Sequence, residues 1–199
     1  SRSAEVIDQL IDIDQRLFIA IHDGLANGVF DFILPLLRKP LTWLPLYLLF
    51  AFLAIKKYKL RGIYIILITA VVVALCDRFS AGFMKPFFER LRPCHEPSLA
   101  QYMRHLIDCG GQYGFISSHA TNHFGMAVMF TWFFTKISSQ NYLNWAFYAW
   151  AGIISFAQVY VGKHYLGDVI VGMLCGILIG KIILTIFTKL KVIKSLSSS

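Results

Sequence analysis

Residues Lys163–Gly180 read KHYLGDVIVGMLCGILIG, a polar head that runs without a break into an apolar tail of membrane grade. Steps of four connect His164, Asp168, Gly172, Gly176 and Gly180, and on a helix these positions share one face. A histidine and an aspartate therefore stand one turn apart above a ladder of glycines. Glycines at this spacing let a second helix approach closely, as small-residue faces do inside bilayers. Read alone, the ladder would fit a dimerisation stripe with an incidental histidine. Asp168 changes the reading, because an acid at the end of a membrane helix, on the same face as a histidine, needs a partner. The stretch predicts a reactive histidine where an apolar helix meets water.

The rest of the chain fits that setting. Of 199 residues, 57% are hydrophobic and only 15% charged, and the mean hydropathy is +0.61. These values indicate an integral membrane protein with no separate soluble domain. The net charge is +8, but Lys and Arg cluster at the ends of apolar runs. That distribution suits membrane topology and phosphate binding, and gives no reason to expect a nucleic-acid partner. The acidic start of the chain does not read as a signal peptide, so the first membrane helix is expected to direct insertion.

Residues 4–25 place Ile7, Leu10, Ile11, Leu17, Phe18, Ile21 and Leu25 at helical spacing among five acids, which predicts an amphipathic helix (1–28) lying on the membrane. Gly24 to Pro40 reads as a break and re-entry. Apolar segments follow at about 41–55, 62–84, 118–137, 142–161 and 165–188, each near the roughly 17 to 25 residues of a spanning helix. The expected fold is all-α: one domain (1–199), a polytopic bundle of five to six spanning helices over 41–188, and an outer loop at 85–117. Lys56, Lys57, Lys59 and Arg61 fill the first short loop, and Lys189, Lys191 and Lys194 the tail. The positive-inside rule puts both in the cytoplasm. The loop 85–117 and the turn 162–165 then share the outer face, a placement reached from lysines alone. Ser197 to Ser199 carry no signal.

Three groups on that face could do chemistry. Lys85 and Arg92, with six residues between them at the loop's start, are cations suited to an anion, and Arg92 offers a planar fork matching phosphate oxygens. Their bland use is snorkelling to lipid headgroups. Ser117, Ser118 and His119 stand where the third spanning helix begins, and free amides there, with serine hydroxyls, form an anion site. His119 could donate a proton to a leaving oxygen; the competing use is a serine N-cap followed by an interfacial histidine. His164, as a neutral imidazole, can attack phosphorus, with Asp168 fixing its tautomer. A metal site built from His119, His123, His164, Cys94 and Cys109 is the weaker use, since no Glu accompanies the histidine pair and no CxxC occurs.

Lys85-x(6)-Arg92-Pro93, Ser117-Ser118-His119 and His164-x(3)-Asp168 together resemble the three-part signature of the type 2 phosphatidic acid phosphatase superfamily, membrane lipid phosphatases related to vanadium haloperoxidases. The resemblance implies that Lys85, Arg92, Ser117 and Ser118 hold phosphate. It likewise implies that His119 is the general acid, that His164 forms a phosphohistidine with Asp168 as its partner, and that no metal or cofactor takes part. Two places depart from the pattern. Ile116 and Ser118 replace the usual proline and glycine of the second motif. Ala157 and Gln158 replace the Ser-Arg before the nucleophile, and Gln158 can donate a neutral hydrogen bond to phosphate but carries no charge. Lys163, Arg78 and Arg90 are the cations that could compensate.

The expected activity is hydrolysis of a lipid phosphate or diphosphate, from a bacterial inner membrane, with the site facing the periplasm or cell exterior. A lipid phosphotransferase using the same site and a non-catalytic lipid-binding protein remain open beside it. Cys94 and Cys109 lie in the outer loop and are expected to form a disulfide there, while Cys76 and Cys175 sit in apolar helices. The identity of the lipid and the oligomeric state stay open.

Overall fold

The computed structural model describes residues 2–138 and 142–189. Lys191, Lys194 and Ser197 to Ser199 lie outside the described residues. Helices α1 (Arg2–His22), α2 (Gly28–Leu37), α3 (Leu44–Tyr58), α4 (Leu60–Asp77), α5 (Lys85–Phe88), α6 (Ser118–Ile137), α7 (Tyr142–Tyr160) and α8 (Leu166–Lys189) carry the fold. A π-helical stretch, Arg78–Met84, joins α4 to α5 in one continuous rod. The fold is all-helical, as expected, and the five long segments fall within a few residues of their expected bounds.

Among the described residues, three rods are long and apolar enough to cross a membrane by length and composition: Pro40–Tyr58, Leu60–Phe88 and Leu166–Lys189. Helices α6 and α7 match them in length but are less apolar. The reason lies in their residues: α6 opens with the polar run Ser118 to His123, and α7 is rich in Trp and Tyr and carries Asn144 and Gln158. Both are also the most enclosed helices. Phe124, Ala127, Met129, Phe130 and Phe133 of α6 pack with Trp150, Ala151 and Ile154 of α7 in the main core.

The glycine ladder turns inward. A Cβ on Gly172 would stand 2.9 Å from the Ser117 carbonyl oxygen, and one on Gly180 would stand 3.0 Å from Val128. At Gly176 it would collide with the carbonyl oxygen of Thr121. The stripe thus seats α8 against α6 within one chain. It holds the start of α8, with Asp168, beside the start of α6, with Ser117 and His119.

The segment read as a break, 24–40, contains α2, capped by the Asn27 side chain accepting from Phe30 N at 2.9 Å. Its apolar face packs Leu34 beside Ala157, Tyr160 and Val161 at the end of α7. This contact brings Arg38, at the C-terminal end of α2, over the bundle's upper end. Helix α1 is fixed to the same end: Phe18 is fully buried beside Tyr165 and Val169, while Ile7, Leu10 and Ile11 stay exposed. His22 anchors it, with Nδ1 at 2.7 Å from Tyr160 O and Nε2 accepting from Arg104 N at 2.9 Å.

Candidate active site

The outer loop is closed at its base before it presents any side chain. Leu91 and Tyr113 form a single antiparallel β-bridge; Arg92 N donates to Gln112 O at 3.0 Å and Gly114 N to Arg90 O at 2.8 Å. Cys94 and Cys109 are joined as a disulfide, closing the loop above that bridge. The sulfurs are therefore bonded to each other in the grouping Cys94, His95 and Cys109, the one cluster of potential metal ligands found among the described residues. Zipping the loop carries Arg90 and Arg92 to the Gly114–Ser117 turn. Gly114 fits because a Cβ there would press to 3.2 Å on both Arg92 Cγ and Asp168 Oδ2.

His164 is 3% exposed and follows the end of α7, its N–H donating to the Gln158 carbonyl at 3.3 Å. Its Nδ1 stands 3.5 Å from Asp168 Oδ2. At that length, with Nδ1 buried and lacking a hydrogen-bond partner, the two are in electrostatic contact rather than joined by a formed bond. Burial pushes the His164 imidazole below its ordinary pKa, Asp168 opposing that and Lys85 and Arg92 adding to it. The ring is therefore neutral at neutral pH, with Nδ1–H facing the carboxylate and Nε2 left as the free lone pair.

Asp168 is fully buried and bonded on both oxygens. Oδ1 accepts from Arg90 Nη1 at 2.8 Å and Oδ2 from Tyr165 N at 3.0 Å. Arg90 stacks over the Tyr165 ring at 4.1 Å and gives its Nη2 to Asp14 of α1 at 2.8 Å, while Asp14 also accepts from Gly167 N at 2.9 Å. Arg90, one of the cations that could have compensated for Gln158, is thus taken by two carboxylates. Arg78 is exposed. Sequence reading did not foresee Asp14, whose only signal was an acid among others on an amphipathic helix.

At the start of α6, Ser117 is fully buried; its amide donates to the Asp168 carbonyl at 3.1 Å and its hydroxyl accepts from Ala120 N at 3.4 Å. Its groups hold helix α6 to α8, so among the two serines it is Ser118 that faces the cations. Ser118 Oγ accepts from Lys85 Nζ at 3.0 Å and from Ser80 Oγ at 2.9 Å. His119 lies in the next position, and its carbonyl accepts from His123 Nδ1 at 2.7 Å, the two rings stacked 6.1 Å apart. Arg92 ties back to the loop through Nε to Tyr113 O at 3.1 Å and Nη1 to Cys109 O at 2.6 Å. Lys163 approaches Arg92 across Gly110, and burial, with Arg38 and Arg92 nearby, pushes its pKa down to about 8.

Gln158 is 0% exposed, and Arg38 Nε donates to its Oε1 at 3.3 Å. Gln158 Nε2 is buried with no hydrogen-bond partner. Arg38 was not singled out from the sequence, where it appears only as half of an Arg-Lys pair before Pro40. Pairwise contacts thus bring these residues together: Lys85 bonds Ser118, the charges of Lys85, Arg92 and Asp168 act on His164, His164 lies within electrostatic reach of His119, and its N–H meets the Gln158 carbonyl. The arrangement can bind a multiply charged anion and set a neutral imidazole against it.

The sequence profile of the PAP2 superfamily matches residues 61–191. Among curated proteins, the chain is 27% identical over 183 residues to a lipid A 4'-phosphatase of Porphyromonas gingivalis, covering 91% of this chain and 75% of the relative. It is 28% identical over 175 residues to a lipid A 4'-phosphatase of Bacteroides thetaiotaomicron, covering 86% and 75%. Its fold is similar to that of the PAP2-type phosphatidylglycerolphosphate phosphatase of Bacillus subtilis, with a TM-score of 0.69 at 17% identity over 91% of this chain and 87% of that one. It is also similar to Aquifex aeolicus LpxE, with a TM-score of 0.56 at 20% identity over 86% and 94%.

Proposed function

The chain belongs to the PAP2 superfamily and is a membrane lipid phosphatase, and on that premise we propose that it removes a phosphate monoester from a lipid A-type glycolipid through a phosphohistidine on His164. The observation that carries the reading is the buried imidazole of His164, with Asp168 at 3.5 Å and the charges of Lys85 and Arg92 acting on it, Lys85 itself bonded to Ser118. The choice of lipid rests on the two curated relatives, both lipid A 4'-phosphatases by name.

In this mechanism the phosphate, carrying roughly 1.5 to 2 negative charges, enters among Lys85, Arg92 and Ser118. His164 Nε2 attacks phosphorus in line with the lipid oxygen. The P–O bond to the lipid breaks and His119 gives that oxygen its proton. His119, now neutral, takes a proton from water, whose oxygen attacks the phosphohistidine and restores His164 with release of inorganic phosphate. Asp168 holds the Nδ1–H tautomer and stabilises the imidazolium that forms. Acid-base assistance of this kind is worth roughly a hundred- to ten-thousandfold, the loss expected of His119→Ala.

The site face is assigned to the periplasm. Helix direction supports this: the starts of α6 and α8 lie at the site end, so Lys189, at the end of α8, and the Lys56 to Arg61 hairpin lie at the other, where basic residues mark the cytoplasm. The test is phosphate release in detergent from lipid A bisphosphate, phosphatidylglycerol phosphate and a polyprenyl diphosphate, each with the wild-type chain and with His164→Ala. Release from lipid A that disappears in His164→Ala is expected. Release only from another lipid would overturn the substrate, and release that survives in His164→Ala would overturn the nucleophile.

A further inference from the structure

Arginines at the site end of the molecule fall into two groups. Arg90 bonds Asp14 and Asp168, and Arg104 bonds Asp31 at 2.7 Å. These are structural cations whose charge is already matched. Arg38 and Arg92 have no carboxylate partner among the described residues. Arg92 was anticipated from the sequence as a phosphate ligand; Arg38 was not, and no motif contains it.

The position of Arg38 is defined by two anchors. The Leu34 contact of α2 with the end of α7 sets its backbone, and the bond from Nε to Gln158 Oε1 sets its guanidinium. Gln158 is in turn tied to the nucleophile's own backbone, since its carbonyl accepts from both Lys163 N, at 3.1 Å, and His164 N, at 3.3 Å. One buried residue therefore links the guanidinium of Arg38 to the loop that carries His164. Only Nε is engaged, which leaves both Nη groups, four N–H donors in a planar fork, without a partner among the described residues.

The electrostatic surroundings point the same way. The charge of Arg38 acts on Lys163 and on His119, and that of Arg92 acts on Arg38. Arg38, Arg92, Lys163 and Lys85 thus form a cluster of cations; Asp168, the buried acid beside them, is already bonded to Arg90, and the exposed Asp77 and Asp108 act only on Lys85 and Lys163. Like charges brought together in a half-buried space repel unless an anion joins them. The unpartnered Gln158 Nε2 adds a buried donor at the same place.

We propose that Arg38, reaching the site from the end of α2, is a phosphate-binding residue that supplies beside Gln158 the positive charge Gln158 lacks. The proposal deepens the phosphatase reading and rests on it for the identity of the anion. Phosphate oxygens are held by the free Nη fork of Arg38 and by Gln158 Nε2 from one side, and by Lys85, Arg92 and Ser118 from the other. A charged donor of this kind makes hydrogen bonds about twice as strong as a neutral one, so the negative charge developing on the transferred phosphoryl group is stabilised by Arg38 more than by Gln158.

The experiment measures inorganic phosphate binding and lipid phosphate turnover by the full chain in detergent, for wild type, Arg38→Ala, Arg38→Lys, Arg38→Gln and the double variant Arg38→Ala/Gln158→Arg. Arg16→Ala, which removes an exposed arginine paired with Asp12, controls for the loss of one positive charge. Arg38→Ala is expected to weaken phosphate binding and lower kcat/KM by roughly ten- to a hundredfold. Arg38→Lys should lose less, and the double variant should regain a large part of the loss by placing the guanidinium on α7. Arg16→Ala should match wild type. Should Arg38→Ala fail to fold, the comparison of Arg38→Lys with Arg38→Gln decides, the lysine variant binding phosphate more tightly. Wild-type phosphate binding by Arg38→Ala, or equal binding by the lysine and glutamine variants, would overturn the proposal. A wild-type chain that binds phosphate through Arg38 but hydrolyses no lipid would sink the phosphatase reading and leave this one standing.

Discussion

Asp168 is bonded to Arg90 at 2.8 Å and only approaches His164 at 3.5 Å. The carboxylate expected to serve the histidine is thus first neutralised by an arginine, whose other arm reaches Asp14 on the amphipathic helix. Removing Arg90 leaves a fully buried carboxylate without its cation, a change that typically costs about 3 to 5 kcal/mol. Arg90→Ala is expected to lower the melting temperature by more than Asp14→Ala, and the pair Arg90→Ala/Asp168→Asn to be less destabilised than Arg90→Ala alone. Thermal unfolding in detergent checks both; equal effects of Arg90→Ala and Asp14→Ala would contradict the arrangement.

The pH dependence follows from His164 and Lys163. His164 has its pKa lowered by burial, so the active neutral form persists below the ordinary histidine range and activity falls only as pH drops through the lowered value. Lys163, pushed down to about 8 by burial and neighbouring cations, loses its charge above that pH and weakens its attraction for phosphate. Bound phosphate raises the lysine's pKa again, so the loss above pH 8 should appear in kcat/KM. Lys163→Arg should move the alkaline limb upward; a limb unchanged by that variant would assign it elsewhere.

Glycines of the ladder are separable from other helix glycines. Gly176→Ala places a Cβ against the Thr121 carbonyl, whereas Gly152→Ala on α7 meets nothing within 4 Å. Gly176→Ala is expected to destabilise by about 1 to 3 kcal/mol, and Gly152→Ala to be neutral or stabilising by up to about 1 kcal/mol. Light-scattering melts of the two variants give the comparison, and an equal response would mean that α8 does not seat on α6 through Gly176.

Reduction of Cys94–Cys109 should act on substrate binding through Arg92, whose Nη1 donates to the Cys109 carbonyl at 2.6 Å. In the entropy model, closing a loop of 15 residues is worth about 3 kcal/mol. The paired Cys94→Ser/Cys109→Ser variant should therefore melt lower and raise KM more than it lowers kcat. A change confined to kcat would separate the disulfide from Arg92.

Periodicity carried most of the fold, because apolar runs of spanning length have few alternatives in water or lipid. The three motifs met at one end because the two long helices between the 85–117 loop and the 162–165 turn bring the chain back to the same side. What lay beyond the sequence were partners set by packing between distant segments. Arg38 meets Gln158 because Leu34 docks α2 on α7, and nothing local in 24–40 specifies that contact. Arg90 meets Asp14 because Phe18 docks α1 beside Tyr165. The His164–Asp168 spacing foretold proximity, but it is the zipped outer loop that makes Arg90 the nearer partner. Ser117 was placed in the anion site by its neighbours in sequence, whereas its amide and hydroxyl hold the start of α6.

The most direct test of the account is to quench the reaction of a radiolabelled lipid phosphate after one turnover and locate the label on the chain. The account predicts one acid-labile, alkali-stable phosphoryl group on His164, absent from His164→Ala. Label that persists in His164→Ala, or phosphate released by the wild-type chain with no labelled enzyme, would contradict it.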